Sequence, residues 1–168
     1  QKLINDRSRK SMAEREFPPE VANSLEWTFV SDQSLFDGAS RDQLRQHFRV
    51  WATEAEKSEQ PRAVDGEKRW TALRYMYFIQ VDEEVLQTTT VDVDPYDSLD
   101  WGWVNLVCCS DEDFDLERME MDREHVEVED GDEGWMQIAA HMVGPCFYDA
   151  IGAEWYTFYT PPPGLVYY

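Results

Sequence analysis

Carboxylates are the reactive groups this chain carries in greatest number, and they are unevenly placed. Between Asp111 and Glu133, 13 of 23 residues are acidic. In our reading the members of this run that face a partner are Asp111, Glu112, Asp113, Asp115, Glu117, Glu120, Asp122, Glu127, Glu129 and Asp130. Like charges crowded on one strand face repel one another. A chain that keeps them gains from a cationic partner, which they attract at long range. The plainer alternative is a solvated edge whose charges keep strands of different molecules apart. Paired carboxylates also do general acid and base work, as in glycoside hydrolysis. With 35 acidic residues some pair always lies within reach, so proximity alone does not mark a catalytic pair.

Other nucleophiles and ligands are few. Cys146 follows Gly144-Pro145 and stands five residues after His141, a thiol and a base in one neighbourhood. Cys108 and Cys109 lie in an apolar run, where burial raises a thiol's pKa and leaves it inert. The plainer reading of these groups is a buried thiol and an edge-facing histidine. His47, His125 and His141 are scattered, with no HExxH spacing and no CxxC pair. Asp92, Asp94 and Asp97 approach the spacing of a calcium loop, but Pro95 and the missing glycine and downstream glutamate break the pattern. No metal and no cofactor is therefore expected. The glycines form neither GxGxxG nor GxxxxGK[ST], and no GxSxG elbow is present.

The net charge is -20, from 35 acidic and 15 basic side chains. Residues 1–75 carry 13 of each sign, so the whole excess falls in residues 76–168, where only Arg118 and Arg123 oppose 22 carboxylates. Direct nucleic-acid binding through that half is excluded, because phosphates need Lys and Arg. An anionic membrane is disfavoured on the same ground. Hydrophobic residues make up 42% of the chain and aromatics 14%, enough to build a core and too much for a disordered acidic tail. No apolar run reaches 18 residues. Three cysteines without a disulfide framework, and no Asn-x-Ser/Thr site, point to an intracellular setting, cytoplasm or nucleus. Gln1 in place of an initiator Met reads as a fragment or a processed form.

These groups must be positioned by elements. Residues 1–20 read as an N-terminal arm, basic around Arg7 to Ser11, broken by Pro18-Pro19, and free to dock on the acidic half of the same chain. Residues 21–168 read as a single α+β domain with the acidic segment at 111–133. Leu25 to Val30 suggests a strand or a short buried element. Ser40 followed by Gln43 is a capping box, and Leu44, Phe48, Trp51, Ala52 and Ala55 continue at helical spacing, predicting a helix over 41–58.

Period-two patterns follow. Arg74 to Val81 is apolar on both faces and predicts a central strand. Thr88 to Val93 predicts another, and Trp101 to Cys109 a third, in which Gly102 permits a close approach or a bulge. Within 111–133, Met119 and Met121, then Val126 and Val128, suggest two strand pieces, with a helix over 112–124 as the competitor. Asp130-Gly131 and Glu133-Gly134 suggest a hairpin turn into a strand from Trp135 to Val143. Phe147 to Ile151 predicts one helical turn and Trp155 to Thr160 a last strand. The expected architecture is a mainly antiparallel sheet of about six strands with one long helix packed on it.

Strand tryptophans, Trp101, Trp103, Trp135 and Trp155, read first as core and second as a stacking platform for a sugar or peptide. Tyr156 and Tyr159, near Pro161 to Pro163, read as part of an exposed apolar patch that docks on a protein. Together these features predict a non-enzymatic acidic interaction domain or complex subunit. Its partner would be a basic protein, shielded by it or inhibited by nucleic-acid mimicry. The alternative is an enzyme or small-ligand binder using carboxylates and aromatics in a cleft, with a carbohydrate-like substrate.

Overall fold

Ser40 opens the longest helix through reciprocal hydrogen bonds. Its Oγ accepts from the backbone N–H of Gln43 at 3.3 Å, and its own N–H donates to Gln43 Oε1 at 2.9 Å. Two of the donors that a helix N-terminus leaves without partners are thereby satisfied. The computed structural model describes residues 2–59, 73–89, 102–109, 134–151 and 155–167. Among them the chain runs through α1 (Lys2–Glu14), α2 (Pro19–Ser24), α3 (Gln33–Phe36) and α4 (Arg41–Glu59), the helix opened by Ser40. A 3-10 turn (Leu73–Tyr75), β1 (Tyr77–Gln80), α5 (Glu83–Thr89) and β2 (Trp103–Cys108) follow. The chain closes with β3 (Trp135–Ala139), a 3-10 turn (Ala140–Met142), α6 (Pro145–Ile151), α7 (Trp155–Phe158) and β4 (Leu165–Val166).

Among the described residues four strands form one sheet in the order β1-β2-β3-β4, a mixed α/β architecture with four strands there rather than the six or so anticipated for the whole chain. β1 pairs with β2 and β2 with β3, both antiparallel, with Phe78 opposite Val107 and Val107 opposite Trp135. β4 joins β3 in parallel, after the chain has crossed over through α6 and α7.

Alternation along paired strands divides the sheet into two faces. Tyr77, Ile79, Val104, Leu106, Met136, Ile138 and Val166 share one of them by register. α6 and α7 cover that face. Trp155 lies parallel on Tyr77, with ring centroids 5.5 Å apart, and Phe147, Ile151 and Tyr159 complete the core. α4 lies on the opposite face, where Phe48 packs on Phe78 at 5.2 Å.

Several elements differ from expectation. Among the described residues β1 stands at the edge of the sheet rather than at its centre, and helices pack on its two apolar faces. Trp155 to Phe158 is helical. Trp155 and Tyr159, four residues apart, stack on one another at 5.8 Å, a spacing that an alternating aromatic pattern conceals. Thr88 belongs to α5, because Asp82 Oδ1 accepts from the Val85 N–H at 2.9 Å and starts a helix there. β3 stops at Ala139 and passes into a 3-10 turn. Residues 25–32 join neither helix nor strand, and Phe29 and Val30 are exposed rather than buried. The strand and helix readings of 111–133, the turn at 130–133 and residues 90–93 of the expected Thr88–Val93 strand lie outside the described residues.

Gly102 has φ +68°, and a Cβ there would stand 2.6 Å from Thr88 Oγ1 and 3.0 Å from the Thr88 backbone, so α5 packs directly against the start of β2. α1 buries Ser8 and Met12, one turn apart. Ser11 Oγ lies 4.0 Å from Cys146 Sγ, which sets this helix against α6. None of the described helices is long and apolar enough to cross a membrane.

Candidate functional site

The acidic residues named above, from Asp111 to Asp130, all lie outside the described residues, but the points where their segment is attached do not. Residues 109–134 connect two paired strands. The Cys108 N–H donates to the Gly134 carbonyl at 2.8 Å, so the connection leaves and re-enters the sheet at one place. α4 begins beside it. Arg45 Nε donates to the Cys108 carbonyl at 3.2 Å and Nη1 pairs with Asp42 at 2.9 Å, while the Arg41 guanidinium stacks over the Trp135 ring at 3.4 Å. A Cβ on Gly134 would come within 2.7 Å of Arg45 Nη2, so the glycine admits the guanidinium to the hairpin. Two cationic side chains thus stand at the root of the acidic connection.

Tyr159 is 7% exposed and lies in the core against Trp155, which removes it from any surface patch of the isolated chain. The Tyr156 backbone forms part of α7, and its side chain falls outside the description. Burial pushes the Tyr77 phenol well above its ordinary pKa, with Cys108 and Tyr148 adding to the effect, so this core hydroxyl stays protonated at neutral pH. All three cysteines are thiols, and Cys109 is buried. His141 occupies the 3-10 turn after β3, its Nδ1 buried without a hydrogen-bond partner, and Cys146 begins α6. Among the described residues no aspartate or glutamate is buried, and no three of His, Cys, Asp and Glu converge as metal ligands would.

No family model matches the chain, and neither the curated proteins nor the solved structures include a significant match to it.

One constellation went unread in the sequence. Gln80, Asn105 and Gln137 stand opposite one another on three adjacent strands, an amide row across the α4 side of the sheet. Asn105 is 2% exposed. Its Nδ2 donates to Asp82 Oδ2 at 2.8 Å, while its Oδ1 and the neighbouring Gln80 Oε1 are buried and accept no hydrogen bond. Gln137, in the orientation its neighbours require, accepts from Trp103 Nε1 at 3.1 Å and donates to the Pro163 carbonyl at 3.3 Å. The sequence signal was present: one amide in each of three otherwise apolar strands (YFIQ, WVNLVC, WMQIA). Both acceptors sit at paired positions on neighbouring strands, an exception to the rule that buried polar groups are paired.

Proposed function

We propose that this chain is a non-enzymatic interaction domain that binds a basic segment of a protein partner, shielding that partner or competing with nucleic acid for it. The observation that carries the reading is the concentration of 13 carboxylates in the connection between β2 and β3. Strand pairing holds both ends of that connection, which carries these like charges. A cationic partner relieves their mutual repulsion, and Arg41 and Arg45 at the root offset only a small part of it. Such binding is steered at long range and weakened by salt.

The test is a titration of the full chain with a labelled 20-residue Lys/Arg peptide at about 0.05 M and about 0.5 M salt, below and above the point where exposed charges are screened. The comparison is a variant in which the ten named carboxylates become Asn or Gln. Binding that falls with salt and is lost in the variant supports the reading. Affinity that survives both changes overturns it.

A further inference from the structure

The stretch between Arg15 and Arg41 contains no Lys, Arg or His, but five carboxylates: Glu16, Glu20, Glu26, Asp32 and Asp37. All five are exposed. Interleaved with them are Val21, Phe29, Val30 and Leu35, each between 41 and 66% exposed, and neither α2 nor α3 buries a residue. Isolated exposed apolar side chains need no explanation, but four within 15 residues, set among charges of one sign, do.

The stretch is nevertheless held in place. Asp32 Oδ1 accepts from the Ser34 N–H at 2.9 Å and from the Ser34 hydroxyl at 2.6 Å, fixing the start of α3. Phe36 packs edge-on against His47 of α4 at 5.5 Å. Arg74 Nη2 donates to Thr28 Oγ1 at 3.3 Å, and Leu25 and Trp27 are half-buried while Glu26, Phe29 and Val30 are exposed. A surface with ordered backbone and exposed anchors loses little entropy when a partner settles on it.

We propose that residues 16–37 form a second docking surface, for an amphipathic segment of a basic protein that presents Lys or Arg on one side and large apolar residues on the other. The proposal rests on the reading of a basic partner and adds to it the apolar half of the recognition. Charge complementarity selects this occupant over the others. A second copy would bring another net charge of -20 against these carboxylates. An anionic lipid surface is repelled by the same five groups. A purely cationic segment would leave Val21, Phe29, Val30 and Leu35 in water.

Two labelled 18-residue peptides test the proposal on the full chain: one of Leu and Lys at helical spacing, the other with each Leu replaced by Ser. Anisotropy titrations compare the native chain, the triple variant Phe29→Ser, Val30→Ser, Leu35→Ser, and the variant neutralised across 111–133. All three serine positions are exposed, and an unchanged circular dichroism spectrum verifies the fold. The expected result is that the Leu–Lys peptide binds more tightly than the Ser–Lys peptide and loses about tenfold in the triple variant, as for apolar anchors elsewhere. Equal binding of the two peptides, abolished only by neutralising 111–133, would overturn this surface and leave the basic-partner reading standing. Leu–Lys binding indifferent to the triple variant overturns it too. So does a dimer that sediments as a monomer after the serine substitutions, or binding to anionic vesicles that the same substitutions abolish.

Discussion

Asn105 has a donor but no donor's answer: its Nδ2 is engaged by Asp82 while Oδ1 is buried without a partner. Replacing it with aspartate sets a second carboxyl against Asp82 in a site 2% exposed. Burial and the neighbouring charge both raise the new group's folded pKa above its unfolded value. The variant therefore matches the native chain below about pH 4, where the carboxyl is protonated in both states. It loses stability as the pH rises through the folded value, by about 2–4 kcal/mol at neutral pH. Urea midpoints measured from pH 3.5 to 8 would show the divergence, and parallel curves would deny that Asn105 and Asp82 are paired. Tyr159 gives a sharper contrast. As a core ring its truncation to Ala costs about 3 kcal/mol, whereas Val30→Ser, at a surface position, stays within about 0.5 kcal/mol. Thermal unfolding of the two variants distinguishes these roles, and equal effects would return Tyr159 to the surface.

At the level of elements, α4 is fastened at both ends by different chemistry. Its start rests on the Ser40–Gln43 box and on Arg41 and Arg45. Near its end, Glu59 accepts from Arg74 Nε at 2.9 Å and Nη2 at 3.1 Å, and from the Tyr75 hydroxyl at 2.8 Å. Those bonds, Arg74 first, hold the Glu59 carboxyl below the usual glutamate range. A depressed carboxyl stabilises the fold above its unfolded value and loses that contribution as the pH falls through the folded one. Glu59→Gln therefore lowers stability at pH 7 by less than about 1 kcal/mol, the pair being partly exposed, and the difference fades below about pH 4. A constant difference across that range would remove the ionic contribution. Gly102 and Gly134 form a second contrast. An added Cβ meets backbone at a positive φ in the first and the flexible end of Arg45 in the second, so Gly102→Ala costs about 1–3 kcal/mol and Gly134→Ala less. The reverse order of melting temperatures would contradict the α5–β2 contact.

For the molecule as a whole, the charge distribution sets the terms. A net charge of -20 opposes compaction by self-repulsion, and exposed charges are screened by salt. Raising sodium chloride from about 0.02 M to about 0.5 M should therefore raise the melting temperature. A melting temperature that falls would mean that attractive ion pairs outweigh the repulsion. α1 ties the two halves together: from the neutral half it sets Ser11 beside Cys146 of α6 in the half that carries the excess charge.

What the chain shows about itself before folding is what depends on neighbours in sequence. Ser40 and Gln43 are three residues apart, so the start of α4 is legible, as are the close approach at Gly102 and the strand from Trp103 to Cys108. The charge run of 111–133 is legible for the same reason, since it needs no partner to be recognised. Tertiary structure alone decided what covers β1, the edge strand among the described residues, because helices distant in sequence pack on both its faces. It alone turned Trp155 to Phe158 into a helix, through the Trp155–Tyr77 stack across 78 residues. It also aligned Gln80, Asn105 and Gln137, since strand register is a property of pairing and no strand carries its own.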